Sequence, residues 1–410
     1  MILKKEIITK KPVRTIEDFL YSFPKFRDLD LHEGISFSSK SGCKIKPSIQ
    51  LAKPSEAKEI VQVFKEVYRG SYPYKELEDE IEIQKMIRDP DFHWIVFKIN
   101  KDEIIGCTAF HVDIENRSGT FHGFAIKKKN QGLTDLVKLS NACLYSILKL
   151  YKNKVLLWYC EVRSAHTKSQ YMGRFLGLDP IAFLPNKDIF FNREESEFIY
   201  IMYDKEALGK YRSKEIPKIT HQVLKCYYYA FKKYNLDIPV VKNPELKLNE
   251  LKVREIKNQL IRSIEKDRFG NELVTISIKN SESYIRFLHH PLIQTIEQTT
   301  YKVDNIEELF IFVEQVKELI LKSNIRYFEC FVSSYIPTHQ AIFLNAGLKP
   351  TRYIPSWRYN KHKRILEDII VFTYCKNEIS KNIKLISETE EFLKTIYPNW
   401  DIFKIRINNY

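Results

Sequence analysis

The chain has 410 residues, 44% of them hydrophobic and 29% charged, with a net charge of +14 at neutral pH. That length allows two or three domains, each able to bury a core, and the balance excludes a disordered or collagen-like chain. No run approaches the ~18 apolar residues of a membrane span, and MILKKEIITKKPVRT lacks the apolar stretch of a signal peptide, so the sequence reads as cytoplasmic and free of the membrane. The cysteines at 43, 107, 143, 160, 226, 330 and 375 form no CxxC pair and no Cys/His cluster at metal-ligand spacing. Free thiols and no metal site are therefore expected.

Residues 1–46 read as an N-terminal arm punctuated by proline. From Ile49 the pattern predicts a short strand, a turn at Pro54, and a helix capped by Ser55 with Ile60, Val61, Phe64 and Val67 inward. WIVFKIN and EIIGCTAFHVDI form a hairpin about Lys101 and Asp102, and TFHGFAIKK is the next strand. LTDLVKLSNACLYSILKLYK is a long helix, KVLLWYCEV an apolar strand, and SAHTKSQYMGRFLGL a helix ended by Gly177. IAFLP and EFIYIMY follow as strands, with PNKDIFFNREESE between them as either an acceptor-pocket wall using Asp188 or Glu195, or an ordinary hairpin loop.

Residues 205–268 hold sixteen Lys and Arg against eight Asp and Glu. Such a stretch is either a helical connector with a solvated basic face or a surface that follows phosphates. Further on, ELVTISIK, SYIRFLHH and PLIQTIEQT read as strands. DNIEELFIFVEQVKELILKS is a helix with a capping box from Asp304 and Glu307, and IRYFECFVS, a helix through Gly347 and EDIIVFTY complete the series. The tail carries a polar helix near 387–396 and an apolar end, YPNWDIFKIRI, that reads as a strand.

The chain nearly repeats itself at an offset of 170. Cys160, Val162, Ser164, Gln170, Gly177, Leu178, Pro180, Pro185, Glu197 and Ile199 recur without a gap as Cys330, Val332, Ser334, Gln340, Gly347, Leu348, Pro350, Pro355, Glu367 and Ile369. A period this long points to two copies of a domain rather than a solenoid of small units. The same offset maps the helix at 56–69 onto CYYYAFKKY.

The order of elements over residues 49–203, together with the endings FLGLDPIAFLP and FLNAGLKPTRYIP, resembles the GNAT superfamily of acyl-CoA-dependent N-acetyltransferases. The resemblance implies an α/β (α+β) chain of two tandem GNAT-like domains, each a mixed, mostly antiparallel sheet flanked by helices. The boundaries expected are an arm at 1–46, an acetyltransferase domain at 47–205, and a basic helical linker or the first helices of the second domain at 206–270. A degenerate second domain at 271–376 and a C-terminal tail at 377–410 follow.

In that superfamily a loop of pattern Q/R-x-x-G-x-G/A opens a long helix and holds the pyrophosphate of coenzyme A on backbone N–H groups. The matching residues are Gln131, Gly132, Leu133 and Thr134, led by Phe124, Ala125 and Ile126 and preceded by Lys127, Lys128 and Lys129, with Ser169 on the later helix. Thr134 and Leu136 stand where small residues are expected. The second copy reads TTYKVDNIEEL there, without glycine, so it is not expected to bind coenzyme A.

Catalysis by direct amine attack on the thioester needs a proton acceptor and a proton donor. Relatives place a tyrosine donor where this chain has Gly173 and Phe343. His166, Ser169 and Tyr171 are the substitutes, Glu161 is the candidate base, and His122 is a second one. Phe331 replaces Glu161 in the second copy, whereas Glu197 and Glu367 recur in both and suit a shared structural role. The function implied is acetyl transfer from acetyl-CoA to an amine-bearing small molecule or peptide. The alternative is a non-catalytic tandem GNAT-fold binding or assembly protein, RNA-associated through 205–268, and either a monomer or a homodimer.

Overall fold

The computed structural model describes residues 15–36, 47–100, 103–131 and 136–397, and it divides them into two compact units. The first takes the chain to Val162 together with Thr167–Pro180 and Tyr200–Lys210; the second takes Arg163–His166, Ile181–Ile199 and the chain from Tyr211 on. The strands form an eight-stranded sheet, ordered β1 (Ile35–Ser36), β2 (Pro47–Leu51), β3 (Phe92–Ile99), β4 (Glu103–Asp113), β5 (Ser118–Ile126), β6 (Leu157–Arg163), β8 (Arg193–Tyr203), β7 (Asp179–Phe190). A two-stranded sheet joins β9 (Lys218–Ile219) and β10 (Val240–Val241). A seven-stranded sheet is ordered β11 (Leu260–Lys266), β12 (Glu272–Ile278), β13 (Tyr284–His290), β14 (Thr295–Lys302), β15 (Tyr327–Ser333), β17 (Ile365–Cys375), β16 (Lys349–Asn360). The two larger sheets are each mostly antiparallel with one parallel pair, β5 with β6 and β14 with β15.

The first unit starts with α1 (Ile16–Ser22), whose N-cap Thr15 accepts from Asp18 N. Phe19 and Phe26 are buried, and Phe26 meets Tyr145 edge-on, so this described part of the N-terminal arm packs into the unit. β1 (Ile35–Ser36) pairs with β2 (Pro47–Leu51). Then α2 (Ala57–Tyr68) and α3 (Glu80–Arg88) lead to β3 (Phe92–Ile99), β4 (Glu103–Asp113) and β5 (Ser118–Ile126). Ser55 does not cap α2; it lies in a 3-10 turn, Pro54–Glu56, closed by Glu56 accepting from Lys53 N at 2.8 Å. Ile60, Val61, Val63 and Phe64 of α2 bury against Trp94, Val96, Cys107, Ala109 and Ala125 of the sheet, a helix face spaced at i, i+3, i+4 on one sheet face.

On the other sheet face lies α4 (Leu136–Leu150), followed by β6 (Leu157–Arg163) and α5 (Thr167–Phe175). Gly177, at φ +82°, ends α5, with Leu178 N donating to Gly173 O. The final strands are β7 (Asp179–Phe190) and β8 (Arg193–Tyr203), joined by Phe191 and Asn192, both at positive φ as a two-residue hairpin turn requires. PNKDIFFNREESE is thus strand and turn, not a loop, and Asp188 and Glu195 are buried in it.

From Tyr211 on, the second unit carries β9 (Lys218–Ile219), α6 (Leu224–Tyr234), β10 (Val240–Val241) and α7 (Glu250–Lys257). The segment read as helical also contains a strand, β11 (Leu260–Lys266), which pairs along its whole length with β12 (Glu272–Ile278). β13 (Tyr284–His290), β14 (Thr295–Lys302), α8 (Ile306–Lys322), β15 (Tyr327–Ser333), α9 (Pro337–Asn345), β16 (Lys349–Asn360), β17 (Ile365–Cys375) and α10 (Ser387–Ile396) complete it. A tight turn joins β11 to β12, where the first unit inserts α2 and α3 between β2 and β3. The CYYYAFKKY helix α6 packs on β16 and α10, so it does not occupy the place of α2. The capping box of α8 is Asn305 with Glu308, one residue beyond the pair expected.

The repeat is real where the offset is constant and drifts elsewhere. Strand starts lie 180 residues apart for Phe92 and Glu272, 177 for Ser118 and Thr295, and 170 for Leu157 and Tyr327. Gly347 ends α9 at φ +89°, with Leu348 N donating to Phe343 O, as Leu178 does to Gly173. Pro185-Asn186 and Pro355-Ser356 place the same left-handed residue, φ +49° and +52°, in β7 and β16. No helix among the described residues is long and apolar enough to cross a membrane.

Candidate functional site

β5 and β6 run parallel for only three rungs: Ser118 to Leu157, Gly119 to Trp158 and Thr120 to Tyr159. Beyond them β5 continues to Ile126 and β6 to Arg163, so the strands part and the β6-facing backbone edge of β5 is left without a ladder partner. Side chains alternate along a strand. Trp158 packs with Phe110, Phe121 and Tyr151 on the α4 face, so Tyr159 and Glu161 point to the α2 face. His122 is on that face too, edge-on to Trp94 and Phe92. His122 and Glu161 therefore flank the opening, each two residues past the last rung.

The bulge that follows is built by glycine. Cys107 pairs with Ala125 and Ala109 with His122, so two residues, Gly123 and Phe124, oppose Thr108 alone. Gly123 takes φ +65°, and a Cβ there would meet Phe64 Cζ at 3.3 Å. Glycine takes this dihedral without strain, and a larger residue there would press on Phe64. Burial, with His111 adding to it, lowers the His122 pKa to about 4, so its imidazole is neutral at physiological pH.

The residues expected to bind cofactor fall into three groups. Phe124 is part-exposed beside Phe97, while the side chains of Ala125 and Ile126 are buried and only their backbone borders the opening. Gln131 turns its Nε2 back to Ile126 O at 3.3 Å and closes the turn that carries Lys127, Lys128 and Lys129. Gly132, Leu133 and Thr134 lie outside the described residues. Ser169 is half-buried on α5.

Among the catalytic candidates, Glu161 is exposed at the opening. His166 is exposed in the short segment that groups with the second unit. Tyr171 is 49% exposed and stacks along Phe175 at 6.4 Å. The absence of tyrosine at 173 has a packing cause: a Cβ on Gly173 would stand 2.8 Å from Tyr200 Cδ1, so the ring of Tyr200 from β8 fills that space. Arg163 is committed to Glu195, with N–H···O distances of 2.9 and 2.8 Å, and lies 3.9 Å from the Phe190 ring centroid.

The second unit keeps the bulge but closes the opening. Gln298, at φ +53°, replaces Gly123, and Glu297 takes the rung of His122, buried against Lys187 at 3.1 Å. Tyr301 bonds His339 Nδ1 at 3.1 Å and packs on Phe343, and Phe331 stacks flat on Trp357. The N-terminus of α8 is filled by its own carboxylate: Glu308 accepts from Asp304 N and from Ser283 Oγ, both at 2.8 Å. Within the basic stretch Arg212 pairs with Asp368, Lys218 with Glu215, Lys252 with Glu307 and Lys266 with Glu272.

No family model matches the sequence, and no curated protein does. Solved structures to which the chain is similar include acetyltransferases. A ribosomal-protein-S5-alanine acetyltransferase from Vibrio fischeri is 13% identical over 42% of this chain and 98% of its own, with a TM-score of 0.35. A spermidine N-acetyltransferase mutant from Vibrio cholerae is 17% identical over 40% of this chain and 97% of its own, TM-score 0.34. The microcin C7 self-immunity acetyltransferase, solved with acetyl-CoA and AMP, is 13% identical over 38% and 92%, TM-score 0.31.

Proposed function

We propose that the first unit is an acetyl-CoA-dependent N-acyltransferase and that the second is a degenerate copy that does not bind coenzyme A. The observation that carries this reading is the parting of β5 and β6 after Thr120 and Tyr159, with His122 and Glu161 on one face of the opening. The unladdered edge of β5 offers backbone N–H and C=O groups to an extended amide-bearing arm, and Lys127, Lys128 and Lys129 offer charge to phosphates at its end. These features fit acetyl-CoA, which when bound supplies the thioester carbonyl as the electrophile.

Within this reading the acceptor ammonium loses one proton to solvent before it attacks, and His122, which burial keeps neutral, takes the second proton from the nitrogen as it bonds to the carbonyl carbon. Glu161, on the opposite arm, attracts the ammonium and orients it. As the nitrogen bonds to the carbonyl carbon the C–S bond breaks, and the thiolate is protonated by water or by a hydroxyl of α5. The second unit has none of this: a phenylalanine stands for Glu161, an ion-paired glutamate for His122, and a self-capped helix where phosphate would sit.

Calorimetric titration of the whole protein with acetyl-CoA tests the reading. One site per chain at micromolar affinity, weakened at least tenfold when Lys127, Lys128 and Lys129 are replaced by Ser, supports it. No heat at millimolar acetyl-CoA removes it.

A further inference from the structure

The second unit holds an apolar cavity of about 120 Å³ between its sheet and the helices α8 and α9. Its floor is made by Ile285 of β13, Phe328 of β15, Ile320 of α8 and Phe343 of α9, all buried. Its mouth lies where Lys317, Leu321, Ala346 and Tyr374 reach solvent in part or in full. The lining is apolar except for the Lys317 amine and the Tyr374 hydroxyl, both of which donate hydrogen bonds, and no carboxylate lines it. Lys317 faces Glu314 at 3.6 Å, longer than a hydrogen bond and exposed on both sides. A pair of that kind holds the ammonium weakly and leaves its hydrogens for another acceptor.

The first unit shows how the cavity arises. α4 and α8 start at Leu136 and Ile306, and β6 and β15 at Leu157 and Tyr327, so the offset of 170 holds through these elements. By that offset Leu321 stands for Tyr151, Ala346 for Leu176, Lys317 for Ile147 and Phe343 for Gly173. Bulk is removed at the mouth, a ring is added to the floor, and a cation replaces an apolar side chain at the rim. Loss of packing alone would give the first change and not the other two. An apolar cavity of this size stays dry and takes up a molecule that matches it, as a cavity of about 150 Å³ takes up benzene. A lysine at the rim keeps its stem on the apolar wall and its head in water, where it meets an anion.

We propose that the second unit binds a small carboxylic acid whose apolar body, about the size of a benzene ring, fills the cavity on Phe328 and Phe343 while its carboxylate meets Lys317 and Tyr374 at the mouth. The copy that has lost the acyltransferase features thereby keeps a binding role of its own. The proposal draws nothing from the acyltransferase reading, and it stands or falls without coenzyme A.

Three probes that share one ring and two further carbons separate the contributions: phenylacetate, 2-phenylethanol and 2-phenylethylamine. Their affinities for the full-length protein are measured by ligand-detected NMR titration. The expected order is acid over alcohol over amine, at least threefold apart at each step. Lys317→Gln brings the acid to the level of the alcohol. Ala346→Leu, which restores the side chain of the first unit at that place, weakens all three at least tenfold, and Leu321→Tyr does the same should Ala346→Leu fail to fold. The proposal is overturned if the acid binds no better than the amine, if no probe binds at millimolar concentration, or if affinities are unmoved by either filling variant in a protein with the parent unfolding temperature. Binding that emerges only after removal of residues 398–410 also overturns it, and assigns the cavity to the apolar end of the chain itself.

Discussion

Glu161 and His122 stand on the same face of two strands that separate, each two residues past the rung that joins Thr120 to Tyr159. One is exposed and the other is desolvated among rings. A carboxylate in water and a neutral imidazole out of it are suited to different tasks, attraction of a cation and acceptance of its proton.

Replacement of His122 by Gln should therefore lower kcat by about 100-fold, in the range of a lost general base, while Glu161→Gln should act mainly on KM. The pH dependence carries a sign. A histidine whose folded pKa lies near 4 contributes stability that is present above its unfolded pKa of 6.5 and is lost as pH falls toward 4. The variant His122→Gln should accordingly lose less stability between pH 6.5 and 4 than the parent, as read by urea midpoints. Equal acid sensitivity in both proteins would contradict the desolvated neutral imidazole.

Much of this was legible in the sequence because the signals are local. The strands around the opening read correctly from their apolar runs, and the helix ends at Gly177 and Gly347 from glycine after an apolar residue. What could not be read was long-range. Gly173 looked like a missing tyrosine, but the reason is a ring that arrives from β8. Asp188 and Glu195 looked like a polar loop because a fully buried, ion-paired strand has no alternation to betray it. The fixed offset misplaced α6, since the second copy joins β11 to β12 by a tight turn and the register of the repeat shifts there.

Gly173 gives a test of packing that is independent of catalysis. Gly173→Ala places a Cβ 2.8 Å from the Tyr200 ring, and overpacking of this kind costs about 1–3 kcal/mol. Tyr200→Phe keeps the ring and should not relieve that loss. Tyr200→Leu should relieve most of it, so that the double variant is nearly as stable as Tyr200→Leu alone. Additive losses in the double variant would show that the two side chains do not share that space.

Asp204, buried at the end of β8, tests the other sign of linkage. Burial raises its pKa to about 6, against the hydrogen bond from Glu206 N and with the charge of Glu17 adding to the rise. A carboxyl whose folded pKa is raised favours the folded state while protonated, so its contribution declines as pH rises from about 4 through about 6. Asp204→Asn keeps the acceptor for Glu206 N and removes the charge. It should leave thermal stability unchanged near pH 4 and raise it above pH 6. A loss at pH 7.5 would mean that the charged form is the one the fold uses.

The hairpin of β7 and β8 supplies the last test. Lys187 and Glu297 are almost completely buried and 3.1 Å apart. Burial works to raise the Glu297 pKa, but the charges of Lys187 and His290 and the hydrogen bonds from Thr295 and Lys187 together outweigh it, and the net shift is downward. Arg326, also buried, donates to the carbonyls of Asn186 and Lys187 and anchors the same hairpin. Breaking one partner of a buried pair leaves a charge without compensation and costs about 3–5 kcal/mol, whereas replacing both with apolar groups of similar volume is often neutral. Lys187→Met alone should thus destabilise strongly, and Lys187→Met with Glu297→Leu should recover most of the loss. The Lys187→Met protein should also regain stability as pH falls and Glu297 takes up a proton, which chemical denaturation at pH 7.5 and pH 5 would reveal. If the double variant is no more stable than Lys187→Met, the pair is not the contact that holds this hairpin, and the weight shifts to Arg326.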